Sequence, residues 1–172
     1  MGVVWSPEQS KFVATVAPAA GTITSTDGIN WTSAATPSSG SRSVIWSAHA
    51  SQYVSTRSPL AAIYTSPDGQ TWTFHVTPLN SVGITYSEIG DLYVAVGPSG
   101  IMTSSDGATW TTQTSPVTDL RAVVWSPENN EFAAVGAGGI VTSTDGVTWT
   151  QLTSPAANTW DAIAWSPPLK RY

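Results

Sequence analysis

The chain has 172 residues, enough for one compact domain that removes roughly two thirds of its unfolded surface from water. Six Lys and Arg against eleven Asp and Glu leave a net charge of -5, and only 10% of residues are charged, which excludes a basic nucleic-acid grip. The absence of cysteine excludes a disulfide framework, a thiolate zinc site and a cysteine nucleophile. No apolar run approaches the ~18 residues needed to span a bilayer, and MGVVWSPEQSKF does not open like a secretion signal, so neither membrane insertion nor signal-directed export is expected.

In chain order, VVWSP carries Trp5, a Pro-Glu-Gln-Ser turn follows, a second short run begins near Phe12, and a third ends in STDGINW with Asp27 and Trp31. The chain then repeats itself. SPDGQTW, SSDGATW and STDGVTW place Asp68, Asp106 and Asp145, with Trp72, Trp110 and Trp149, at spacings of 41, 38 and 39. A second column runs Trp5, Trp46, Tyr86, Trp125, Trp165, and a third runs Phe12, Tyr53, Tyr93, Phe132. These columns absorb eight of the nine tryptophans. One period near 40 in three columns divides the single domain into repeats 2–41, 42–80, 81–119 and 120–161 with a partial fifth at 162–172, and announces a solenoid, propeller or array.

Each repeat reads as four short strands. In the fourth they are Ala122–Ser126, Glu131–Val135, Gly139–Ser143 and Val147–Leu152, separated by PENN, GAGG and TDG. The first strand is apolar at consecutive positions, as in Val123, Val124 and Trp125, which suits a strand covered on both faces. No segment holds a 3.6 period. The expected fold is all-β, a β-propeller of about four four-stranded blades plus one extra strand. The extra strand, Ala162–Ser166, is a seventeenth and a second copy of the one that opens at Val3. Either it begins a fifth blade that another chain completes, or two copies compete for one slot in a closing ring, or the chain is part of a longer protein. It is expected to be buried like its predecessors and to pack against another chain, a sister copy or a virion neighbour.

The phrase S-x-D-G-x-[TN]-W has its own physics. Asp accepts backbone N–H bonds from the residues after it, Gly supplies a positive φ, Ser bonds across the bend and Trp folds back over the turn. Asn30 takes the position held by Thr71, Thr109 and Thr148, so the Asn30-Trp31-Thr32 sequon has a structural explanation. The phrase resembles the Asp-box, or BNR, repeat of sialidases, other glycan-active propellers and a photosystem assembly factor, with one residue fewer between Asp and Trp. In this short form, with its WSPE lead, it is similar to repeats in tailed-phage virion proteins. The resemblance implies a propeller in which Asp27, Asp68, Asp106, Asp145 and their tryptophans are turn staples. It implies little about activity, because the repeat serves unrelated ones.

No catalytic residue is assigned. None of Arg42, Arg57, Arg121 and Arg171 sits in a sialidase-like setting, the four turn aspartates are occupied, and Glu8, Glu88, Glu128 and Glu131 lie mainly in the first hairpin turn. His49 and His75 are unrelated by repeat position, and no D-x-D-x-D-G loop is present, so no metal or cofactor is expected. The better lead lies where repeats disagree. Four residues before the first-strand aromatic stand Arg42, Val82, Arg121 and Asp161, with Asp119 and Trp160 adjacent. If the staple joins the third and fourth strands, the first is innermost, and these residues ring a central funnel for an anionic or sugar ligand; the alternative is that they cap strand ends in water. The function expected is a non-enzymatic structural or adhesive component of a phage particle, located in the virion, with a cell-surface glycan as a second kind of partner. The alternatives are a multivalent glycan-binding lectin, cytoplasmic or secreted without a signal peptide, and, behind it, a sialidase-like glycosidase.

Overall fold

The computed structural model describes residues 2–16, 21–34, 40–154 and 158–172, so parts of the first and fourth repeats lie outside it. Among the described residues sixteen strands form four antiparallel sheets, one per repeat, each a simple meander, and there is no helix. The first blade holds β1 (Val3–Ser6), β2 (Lys11–Thr15), β3 (Thr22–Ser25) and β4 (Thr32–Ala34). The second holds β5 (Ser41–Ser47), β6 (Gln52–Arg57), β7 (Ala62–Ser66) and β8 (Thr73–Val76). The third holds β9 (Gly83–Ser87), β10 (Leu92–Gly97), β11 (Gly100–Ser104) and β12 (Thr111–Gln113). The fourth holds β13 (Leu120–Ser126), β14 (Glu131–Gly136), β15 (Gly139–Ser143) and β16 (Thr150–Leu152).

Local chemistry sets these hairpins. The turn between the first two strands ends on a left-handed residue in every blade, Ser10, Ser51, Asp91 and Asn130, with φ between 48° and 51°. In three of them its amide donates back to the carbonyl three residues earlier, at 3.2 to 3.4 Å. The aromatic before the turn then faces the one after it, as in Trp125 and Phe132, whose ring centres lie 4.4 Å apart.

The apolar side chains gather in three cores, one between each pair of successive blades, around Val13 with Tyr53 and Trp72, Val54 with Tyr93 and Trp110, and Val94 with Phe132 and Trp149. Strand packing between blades runs β1 to β5, β5 to β9 and β9 to β13. Among the described residues no fourth core joins the last blade to the first. The blades therefore form an open arc rather than a closed four-membered ring. A sheet buried on both faces needs a neighbour on each side, and the first blade has one only on its second side.

The burial expected of the seventeenth strand is a correction. Ala162–Ser166 joins no sheet; Ser166 makes one isolated bridge to Arg171, and Ile163 and Trp165 are half-buried while Ala162 and Ala164 are exposed. It lies against its own fourth blade, where Trp160 N donates to Gly136 O at 3.3 Å. Its shape is still that of a blade's opening hairpin. Lys170 takes the left-handed turn position at φ 49°, its amide donates to Pro167 O, and Trp165 meets Tyr172 at 5.0 Å.

Candidate functional site

The four S-x-D-G-x-[TN]-W turns link the third strand to the fourth in every blade and share one geometry. One Oδ1 of each Asp accepts the preceding Ser hydroxyl at 2.9 to 3.0 Å. The same oxygen accepts two following amides at 2.7 to 2.8 Å, which in the fourth blade are those of Val147 and Thr148. Each Trp indole N–H donates to the Gly carbonyl, at 2.9 Å for Trp149 and Gly146. In the first blade the Asn30 amide nitrogen adds a bond to Asp27 Oδ2 at 2.8 Å. With three donors on one oxygen, the four aspartates are structural anions.

Amide donors from Thr148 and Val147 favour the charged form of Asp145 and hold its pKa at about 2. A carboxyl whose folded pKa is depressed contributes stability that is complete above its ordinary value of 3.8 and is lost as pH falls toward 2. An NMR carboxyl titration is expected to place the Asp145 midpoint near 2, and a midpoint at the ordinary value would remove the anion from the turn. The bonds run through the exposed tip of the hairpin rather than through buried amides, so water replaces them when the carboxylate is lost. Asp145→Ala is thus expected to cost about 1 kcal/mol in urea unfolding.

The tryptophans serve the spaces between blades. Trp72, Trp110 and Trp149 are each 8% exposed and join the three cores, whereas Trp31, which has no preceding blade, is 38% exposed. The glycine of each turn sits where the previous blade approaches: a Cβ on Gly69 would lie 2.6 Å from a Val13 methyl, and one on Gly146 the same distance from Leu92. The turn is therefore also a blade-to-blade contact, which local motif reasoning does not show.

Across the arc, the starts of the first strands line a cavity of about 640 Å³. It brings together Arg42, Val82, Asp119, Arg121 and Asp161, and Ser43 and Ser58 also line it. The first strand of each blade is accordingly innermost. Two of these strands carry an extra residue there: the pairing of β5 with β6 shifts between Ser41 and Val44, and that of β13 with β14 between Leu120 and Ala122. Such a bulge bends a strand and re-aims a side chain, and the arginine lies at the shift in both cases, alone in β13 and with Ser43 in β5. β9 pairs without a shift, and Val82 stands at its mouth.

The two arginines are not equivalent. Arg121 Nη1 hydrogen-bonds Asp161 Oδ1 in a short contact, and Nη2 lies 3.6 Å from Asp119 Oδ2. The Asp161 bond, with the charges of both acids, raises the Arg121 pKa. Arg42 has no ion-pair partner among the described residues. Trp160 departs from expectation. It does not line the cavity, because Asp161 turns toward Arg121 while the Trp160 amide is tied to Gly136 O, and its indole N–H is buried without a hydrogen-bond partner among the described residues.

No sequence family and no curated protein matches the chain. Solved structures do. A virginiamycin B lyase from Staphylococcus aureus superposes with a TM-score of 0.74 at 15% identity, over 90% of this chain and 55% of its own. A GH74 enzyme of Niastella koreensis gives 0.64 at 22% identity over 87% and 24%, and YCF48 bound to a D1 peptide gives 0.60 at 20% identity over 90% and 52%. The chain thus spans about half of two of these proteins and a quarter of the third. At such identities the likeness shows the fold alone, and that fold is the β-propeller.

Proposed function

We propose that the chain is a non-enzymatic propeller module of a phage particle, structural or adhesive, whose funnel takes an anionic group at Arg42. The observation that carries the adhesive reading is the Arg42 guanidinium on a bulge, without an ion-pair partner among the described residues, in a cavity that Ser43 and Ser58 also line and that is otherwise neutralised by Asp119 and Asp161 on Arg121. An unpaired guanidinium binds a carboxylate through two parallel hydrogen bonds, and the hydroxyls add donors to any oxygens beside it. The virion setting rests on the resemblance of the short repeat to those of tailed-phage proteins. The lectin alternative needs an aromatic platform at each blade junction, and there the rings of Trp72, Trp110 and Trp149 are enclosed.

Glucuronate and glucose test the funnel by calorimetric titration. Glucuronate is expected to bind, and Arg42→Ala to weaken it by roughly tenfold to a hundredfold, the worth of one charge-assisted contact. Equal affinity for glucose, indifferent to Arg42→Ala, would favour the lectin instead. No heat with either would remove the ligand. Mass spectrometry of gradient-purified particles tests the virion setting, which fails if the chain is absent from them.

A further inference from the structure

Each blade has a leading face, toward the blade before it, and a trailing face, toward the blade after. The leading face carries the aromatic triad of the repeat, and in blades two to four it is covered by the previous blade's trailing face. The first blade displays the same triad with no other blade on it among the described residues. Trp5 is 40% exposed and Trp31 38%, with Phe12 between them at ring distances of 4.4 and 6.2 Å. Gly28 repeats the point. A Cβ there would meet only its own Phe12 at 3.6 Å, where the equivalent atoms on Gly69, Gly107 and Gly146 would all meet the preceding blade.

The trailing face that fits is also present. Where the third residue after the first-strand aromatic is glutamate, it accepts the next indole N–H: Trp46 Nε1 donates to Glu8 Oε2 at 2.7 Å. The glutamate at this position on the fourth blade is Glu128, and it accepts Trp165 Nε1 at 2.6 Å. Trp165 belongs to the C-terminal segment, which copies the opening hairpin of the chain and lies on the fourth blade where a following blade would lie. That hairpin covers only the inner part of the face, and Leu152 on the outer strand stays 44% exposed.

We propose that the chain associates head to tail with a second copy of itself. The first blade of each copy packs on the fourth blade of the other, and residues 162–172 occupy that site in the monomer and must leave it, while Trp160 and Asp161 keep their bonds to Gly136 and Arg121. Trp5 then takes the place of Trp165 on Glu128, and Trp31 is covered by the outer strands, which the hairpin does not reach. Two copies supply eight four-stranded blades, within the usual range of a closed propeller, and one such exchange at each end closes the ring. The exchange is nearly balanced in polar contacts. The segment holds Glu131 through the Tyr172 hydroxyl at 2.9 Å, and Phe12 of an incoming blade has no hydroxyl to offer. What the second copy adds is burial of the aromatic face.

Sedimentation velocity on the full chain reads this directly. Trp165→Ala is expected to tighten association at least roughly tenfold over the unsubstituted chain, with a limiting mass of twice 18.0 kDa. Adding Trp5→Lys or Gly28→Ala is expected to abolish it, because one places a charge and the other a methyl where the second copy lands. If Trp165→Ala does not fold by circular dichroism, Tyr172→Phe, which removes only the hydroxyl, is expected to shift the equilibrium the same way by less. A Trp165→Ala chain still monomeric at about 0.5 mM overturns the proposal and leaves the face to a blade of another polypeptide. So does association that survives Trp5→Lys, and a mass that grows beyond two copies overturns ring closure.

Discussion

Gly97→Ala and Gly136→Ala are each expected to cost upward of about 3 kcal/mol, at the top of what overpacking brings. Both glycines end the second strand of a blade. A Cβ on Gly97 would lie 2.0 Å from Asn80 O, and one on Gly136 the same distance from Asp119 O. These are backbone atoms and cannot swing aside. The Asp119 peptide is held on both sides, its carbonyl by Ala137 N at 3.0 Å and its amide by Pro98 O at 3.0 Å, so relief of the clash breaks bonds that define the cavity wall. Any folded remainder of Gly136→Ala should therefore also lose ligand at the funnel. Gly90→Ala is the control: its Cβ would meet nothing nearer than Ser87 Oγ at 3.6 Å, and it should stay within about 0.5 kcal/mol of the parent. Urea midpoints decide it, and a Gly136→Ala midpoint equal to that of Gly90→Ala would mean that the strand end is not packed as described.

Gly69→Ala and Gly28→Ala separate backbone strain from blade packing. The two residues hold the same turn position at φ +73° and +74°, so both substitutions incur the left-handed penalty of about 1–2 kcal/mol. Only Gly69 faces another blade. Its added methyl would sit 2.6 Å from a methyl of Val13, a fully buried β-branched side chain, and overpacking adds about 1–3 kcal/mol more. The tryptophans should behave in parallel. Trp72→Ala, emptying the core around Val13, is expected to cost about 3–5 kcal/mol, and Trp31→Ala, with no blade above it, about 1 kcal/mol. These measurements belong at a concentration where the chain is monomeric. Equal losses within each pair would show that the leading face of the first blade is already covered.

Much of this was legible in one dimension. The hairpin and staple chemistry lies within a few residues: Ser, Asp and Gly at fixed offsets satisfy one another's hydrogen bonds whatever surrounds them, so the phrase alone determined four turns of one geometry. The period near 40 determined four like sheets, because equal sequences fold into equal blades. The repeat pattern also singled out Arg42, Val82, Arg121 and Asp161, with Asp119 and Trp160 adjacent, at the starts of the first strands, and the fold gathers all of these except Trp160 in one cavity.

What only the tertiary structure decided depends on how blades sit against one another. Whether four sheets close or stay open turns on a small angle between neighbours, to which no single residue is dedicated, and the outcome is three cores and one bare aromatic face. The bulges that aim Arg42 and Arg121 are one-residue shifts in pairing, and composition carries no mark of them. The neutralisation of Arg121 joins groups 40 residues apart, and the turn away from the cavity at Trp160 follows from a backbone bond to Gly136. The seventeenth strand has the apolar-Trp-Ser-Pro pattern of its predecessors and yet makes no ladder. Pattern specifies which face a strand would bury, but a strand exists only where a second one pairs with it, and here the pairing is a single bridge between Ser166 and Arg171.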